Sequence, residues 1–309
     1  MAPGTPPRHI ACIMDGNGRW AQQRGLERTH GHMAALAALN AVVSGALREG
    51  VEWLTLFAFS TENWSRPEGE VSFLVDSFPG HVLEREARRL QERGVRLRLL
   101  GWDDPRIPAD VTDMLHGLEE LTRGNTKLQV SLAFNYGGRQ DVCETVRCLA
   151  AQRFPHEEIT EETFARHMKL PELPDVDLLL RTGGEHRLSN FLLWHCAYAE
   201  LVFLDVLWPD FRAPHFQHAL ELYRQRRRRF GALGPAAGTD SPGPADADPA
   251  QPPVTGHPVE PGPVSPLKLP AAIASHLGSS LLNGVKETAR FAMLQLGAAS
   301  VQARRPDQR

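Results

Sequence analysis

The chain has 309 residues, with 34 Lys and Arg against 37 Asp and Glu, and a formal net charge of −3. Hydrophobic residues make up 42% and charged residues 23%, the balance of an ordinary soluble domain, which excludes collagen-like, coiled-coil and wholly disordered classes. The near-neutral charge argues against a nucleic-acid partner, and no run approaches the roughly 20 apolar residues that span a bilayer.

Residues 1–8 hold three Pro and no apolar run, so they read as a disordered N-terminus and not as an export signal. Residues 9–14 read as a strand, and 33–48 as a helix ended by Gly50. Residues 53–59 are a strand, and 70–93 a long helix stopped by Gly94. A strand at 95–100, a helix at 109–122, a strand at 128–134 and a helix at 139–152 follow. Residues 177–180 and 191–194 look like buried strands, and 215–229 like a last helix. Strand–helix alternation implies one α/β domain with a mostly parallel sheet covered on both faces. After Phe230 the composition changes. Residues 231–270 hold 11 of the 24 Pro, six Gly and no aromatic residue, so 232–270 is expected to be a disordered linker. In the tail, 271–309, Ile273, Leu277, Leu281 and Val285 recur at spacing four. That fits an amphipathic helix able to lie on a membrane surface; an unstructured or packing segment fits as well. The four Cys form no CxxC pair, and without an export signal free buried thiols in a reducing cytoplasm are expected.

In parallel sheets, ligands bind where strands give way to loops. Asp15-Gly16-Asn17-Gly18-Arg19-Trp20 follows the first strand. Its glycines let the backbone approach a ligand. Arg19 offers a fork for phosphate oxygens, and Asp15 is a hard ligand for magnesium held by phosphates. It is not a Walker A loop, because the Lys-Ser/Thr element is missing. Arg28 and His32 stand four apart, on one face if a helix begins that early. The second strand ends in Ser60-Thr61-Glu62-Asn63-Trp64-Ser65-Arg66, and a third loop carries Arg181, Gly183, Gly184, Arg187, Leu188 and Ser189. Glu200 lies in the apolar stretch 197–204, where a carboxylate needs a partner or a metal. Taken singly, each loop also reads as an ordinary capped turn. Together they describe two anion sites, magnesium and flanking apolar elements.

The segments 9–20, 54–67, 135–139, 181–191, 197–201 and 208–211 resemble the cis-prenyltransferase (undecaprenyl diphosphate synthase) family, in order and over about residues 9–231. The resemblance implies a six-stranded, mainly parallel sheet flanked by helices, a hydrophobic product tunnel and a homodimer. It implies a Mg2+-dependent condensation of isopentenyl diphosphate with an allylic diphosphate, giving a Z-polyprenyl diphosphate. A long product is favoured over a short one, and a non-catalytic partner subunit is disfavoured because Asp15 and its loop are intact. By the same resemblance Asp15 and Glu200 bind the metal, and Asp15 assists departure of the allylic diphosphate. Gly16, Asn17, Gly18, Arg19, Trp20, Arg28 and His32 hold the allylic substrate. Ser60, Thr61, Glu62, Trp64 and Arg66 fall on the second motif, and Arg181, Arg187, Leu188 and Ser189 on the isopentenyl diphosphate site. Asn63 occupies the position assigned the proton acceptor. A neutral amide is a poor base, so orienting a water or the departing diphosphate suits Asn63 better. The expected location is cytoplasmic, with contact at the inner face of the plasma membrane through the tail.

Overall fold

The computed structural model describes residues 5–77 and 88–225. The linker and tail expectations lie outside those residues. Six strands form one sheet: β1 His9–Ile13, β2 Trp53–Ser60, β3 Val95–Leu100, β4 Leu128–Tyr136, β5 Leu178–Arg181 and β6 Glu200–Phe203. Their order is β3-β4-β2-β1-β5-β6, and every pairing is parallel. The helices are α1 Asn17–Gln22, α2 Arg28–Ala34, α3 Leu36–Glu49, α4 Glu68–Ser72, α5 Ala109–Leu121, α6 Gly138–Ala151, α7 Glu161–Ala165 and α8 Ala213–Gln225.

Strands β1 and β5 are buried along their whole length, which is why they read as unbroken apolar runs. One sheet face packs Leu54, Val130 and Leu178 under α3 and α8. These helices approach closely, because a Cβ on Gly45 would come within 2.5 Å of the Phe216 ring. Helix α3 ends at Gly50, whose φ of 71° suits a left-handed cap. The opposite face buries Ala11, Leu179, Tyr136 and Phe191.

Several expectations are corrected. Residues 191–194 are not a strand. Ser189, Asn190 and Leu192 have φ of 48°, 62° and 44°, in the left-handed region that a strand cannot use. Phe191 and Leu192 are apolar because this loop is itself buried, with Phe191 stacked 4.2 Å from Phe57. The sixth strand begins at Glu200 instead. The expected helix over 70–93 starts earlier, at Glu68, and passes into a π-helical turn at Phe73–Ser77. Residues 5–8 are held in place: Pro7 is buried, and the Arg8 N–H donates to Asp177 Oδ2 at 2.7 Å. All four thiols are free, but Cys143 and Cys148 are exposed while Cys12 and Cys196 are buried.

The chain leaves β1 for β2 on one side and returns to β5 on the other. That reversal opens a crevice beyond the carboxyl ends of β1, β2 and β5. All three motif loops start there.

Candidate active site

Ile13 is level with Arg181 across the β1–β5 pair. The two loops therefore begin side by side and are stitched together. Thr182 Oγ1 donates to the Asp15 carbonyl at 2.8 Å and accepts from the Asp15 N–H at 3.1 Å. The Trp208 N–H also donates to the Asp15 carbonyl, at 3.0 Å. With its peptide fixed, Asp15 presents its carboxylate to Arg181 Nη2 at 2.8 Å and to Arg19 Nη2 at 3.3 Å. Arg181 is 3% exposed. Its Nη1 donates to Ser189 Oγ at 2.8 Å and to the Arg187 carbonyl at 2.5 Å. Gly183, at φ 87°, passes beneath Arg19, where a Cβ would come within 2.6 Å of the guanidinium.

After β2, residues Thr61–Ser65 form a 3-10 turn closed by a capping box. Asn63 Oδ1 accepts from the Ser60 N–H at 3.1 Å. Glu62 Oε1 accepts from Asn190 Nδ2 at 2.7 Å, and Asn190 Oδ1 accepts from the Arg139 N–H at 2.8 Å. Helix α2 does begin early enough to place Arg28 and His32 on one face, and both turn towards Glu70.

These groups surround a cavity of about 710 Å³. Asp15, Gly16, Asn17, Gly18, Arg28, His32, Ser60, Glu62, Asn63, Arg66, Arg181, Arg187 and Ser189 all line it. Asn190 lines it too, and the rest of its wall is apolar, with Leu36, Leu39, Leu56, Leu74, Leu132 and Phe134. One cavity thus joins an arginine-rich, polar rim to a greasy wall. Its residues fit a magnesium ion brought by phosphates. The Asp15 carboxylate is partly open to the cavity, and Asn17 Oδ1 is a buried oxygen without a hydrogen-bond partner. Among the described residues no group of three metal-ligating side chains occurs. One carboxylate with phosphate oxygens is the usual way magnesium is held.

Residues 13–231 match the prenyltransferase family model of undecaprenyl diphosphate synthases. The chain belongs to that family. A Thermobifida fusca trans,polycis-polyprenyl diphosphate synthase, specific for (2Z,6E)-farnesyl diphosphate, is 49% identical over 233 residues, 74% of this chain and 82% of that one. The Escherichia coli K12 ditrans,polycis-undecaprenyl-diphosphate synthase, specific for (2E,6E)-farnesyl diphosphate, is 47% identical over 232 residues, 74% of this chain and 91% of that one. The crystal structure of lavandulyl diphosphate synthase from Lavandula x intermedia with dimethylallyl diphosphate aligns with a TM-score of 0.69 at 34% identity, covering 74% of this chain and 99% of that one.

Not every residue expected from the family motifs reaches the cavity. Trp20 Nε1 donates to Asp210 Oδ1 at 2.8 Å and stacks under Arg24. Trp64 Nε1 donates to Asn135 Oδ1 at 2.8 Å, with Arg106 over its ring. Arg19 pairs with Asp15 beside Gly183 and is half-exposed, Thr61 packs near Gly137, and Leu188 packs against the core. Glu200, the second expected metal ligand, lies at the start of β6. Glu200 is level with Leu178 and so with Ile10, five residues before Asp15. Glu200 is not among the residues that line the cavity. Thr182, Asn190 and Glu70 are the groups the motif reading missed. Arg66 and Glu70 stand at i, i+4 on the sequence, the spacing of a helical ion pair.

Proposed function

We propose that this chain condenses isopentenyl diphosphate with an allylic diphosphate, with Mg2+, to give a Z-polyprenyl diphosphate of long-chain type. The observation that carries the reading is the Asp15–Arg181 contact at 2.8 Å, which joins two anion-binding loops at the rim of an apolar cavity. Two diphosphates bound to the two loops would have their hydrocarbon ends directed together along the apolar wall.

Gly16, Asn17, Gly18, Arg28 and Arg66 would hold the allylic diphosphate, with Arg19 paired to Asp15. Arg181, Arg187 and Ser189 would hold isopentenyl diphosphate. Magnesium at Asp15 supplies charge neutralisation for the departing diphosphate. The arginines act on the same developing charge from fixed positions, where preorganisation is most effective. The terminal alkene carbon C4 of isopentenyl diphosphate then forms a bond to C1 of the allylic substrate, the C–O bond from that C1 to its diphosphate breaks, and one proton leaves C2 of the isopentenyl unit. Asn63 Oδ1 belongs to a neutral amide, too weak a base to take that proton, and it accepts from the Ser60 N–H. Asn63 instead sets the turn that positions a water or the departing diphosphate, which takes the proton. The same reading makes the protein a cytoplasmic homodimer, which light scattering and cell fractionation check.

The test is chromatography of products from the full chain with labelled isopentenyl diphosphate, magnesium and a set of allylic primers. Labelled polyprenyl diphosphates, lost on chelation, are expected. Asp15→Ala should lower turnover at least about 1,000-fold, the scale of losing a preorganised electrostatic group. It should still fold, because Arg181 keeps the Ser189 and Arg187 acceptors. Near-normal turnover in that variant would refute the assignment.

A further inference from the structure

Glu70 is 7% exposed and stands behind the cavity wall, not in it. Its Oε2 accepts from Arg28 Nε at 2.8 Å, and its Oε1 from Arg28 Nη2 at 3.3 Å and Arg66 Nη1 at 2.9 Å. His32 Nε2 lies 3.7 Å from Oε1. On the other side of that ring, the Asn17 amide donates to Nδ1 at 3.3 Å. In neutral imidazole an accepting Nδ1 leaves the proton on Nε2, facing Glu70. Gly18 lies against the Arg28 guanidinium, where a Cβ would come within 2.4 Å. The neighbouring His32, Arg28 and Arg66 together hold the Glu70 carboxyl well below the usual range, against the effect of burial.

One carboxylate thus ties together α2, the loop after β1 and the loop after β2. Arg28, Arg66, His32 and Asn17 all line the cavity. Without a shared acceptor, two guanidiniums of like charge would repel each other, and long side chains would regain rotamer freedom.

We propose that Glu70 is the positioning residue of the allylic-diphosphate corner, fixing Arg28, Arg66 and the His32–Asn17 pair in the arrangement that receives the anion. This rests on the function proposed above. Glu70 touches no substrate and acts through those four groups. The isopentenyl corner, with Arg181, Arg187 and Ser189, has its own struts and is independent of Glu70.

Glu70→Gln keeps the shape but turns an N–H2 towards arginine donors. Steady-state kinetics of the full chain with magnesium, isopentenyl diphosphate and farnesyl diphosphate test it. The allylic KM is expected to rise about tenfold, the scale of a lost charged hydrogen bond, while the isopentenyl KM stays within about threefold. A merely structural defect would move both together. If the two KM values change by factors within about threefold of each other, the proposal is overturned. If E70Q does not fold, E70Q/R28Q is compared with R28Q. A further selective rise in the allylic KM supports the proposal, and none overturns it. A wild-type chain inactive with every primer would instead sink the proposed function. Calorimetry with inorganic diphosphate then decides on Glu70: binding weakened about tenfold in E70Q sustains it, and unchanged binding overturns it.

Discussion

Asn63 shows how one amide can carry a geometric task in a site where a base is expected. Its side-chain oxygen closes the capping box on Ser60 and so sets the 3-10 turn that also carries Glu62. Losing a cap of this kind costs about 1 kcal/mol locally. Aspartate at the same position still accepts from the Ser60 N–H, whereas alanine does not. Asn63→Asp should therefore retain clearly more turnover than Asn63→Ala, with both variants folded. Comparing kcat for the two in the product assay checks this. Complete loss in N63D, with substrate binding intact, would mean that the amide N–H2 donors are themselves essential to the chemistry.

At the scale of elements, the rim depends on how closely α1 and α2 approach. Gly31, inside α2, is the contact point: a Cβ there would come within 2.0 Å of the Asn17 carbonyl. A backbone atom cannot yield as a side-chain end can. Gly31→Ala should therefore destabilise the protein by about 1–3 kcal/mol, the scale of overpacking. It should also weaken allylic-diphosphate binding, because Asn17 moves with the clash. Thermal unfolding alongside substrate titration checks both; a variant unchanged in both measurements contradicts this account. Gly31 draws no notice on the sequence and Glu70 shows only its i, i+4 spacing from Arg66, because their meaning lies in contacts across 14 and 42 residues, Asn17–Gly31 and Arg28–Glu70. The strands β1, β2 and β5 were legible, being apolar runs that end in polar loops, and so were the residues just beyond them. The run 191–194 misled for the same reason, since burial and not extension makes Phe191 and Leu192 apolar. Glu200 was legible as an unusual carboxylate, but its level in the sheet is set by the β5–β6 register, which composition does not reveal.

For the whole molecule, the sheet end opposite the cavity sets the response to acid. His9 is fully buried at the start of β1, its Nε2 against Thr55 Oγ1 and its Nδ1 against the Pro174 carbonyl, each at 2.8 Å. His195 is also buried, and its Nδ1 has no hydrogen-bond partner. Burial pushes both down to about 4; for His9 the Pro174 carbonyl and Asp177 oppose the shift, while His9 itself adds to the shift of His195. A depressed histidine is neutral in the fold and takes a proton on unfolding once the pH falls below about 6.5. The unfolded chain then binds more protons, so stability falls with pH, up to about 3 kcal/mol for each ring by pH 4. Glu70 acts in the same direction, but only below the ordinary range of a glutamate, about 4.3. Asp141, pushed upward by burial, acts in the opposite direction, from the ordinary aspartate range upward. Between pH 6.5 and 4.5 the two histidines lower the stability, with Asp141 opposing them. Urea unfolding at half-unit steps should show a free energy that is level from pH 6.5 to about 7.5 and falls steeply below pH 6.5. His195→Phe removes one titrating ring and its unpartnered nitrogen, so its curve should fall about half as far. A wild-type curve level from pH 6.5 to 4.5 would show that these rings are hydrated in solution.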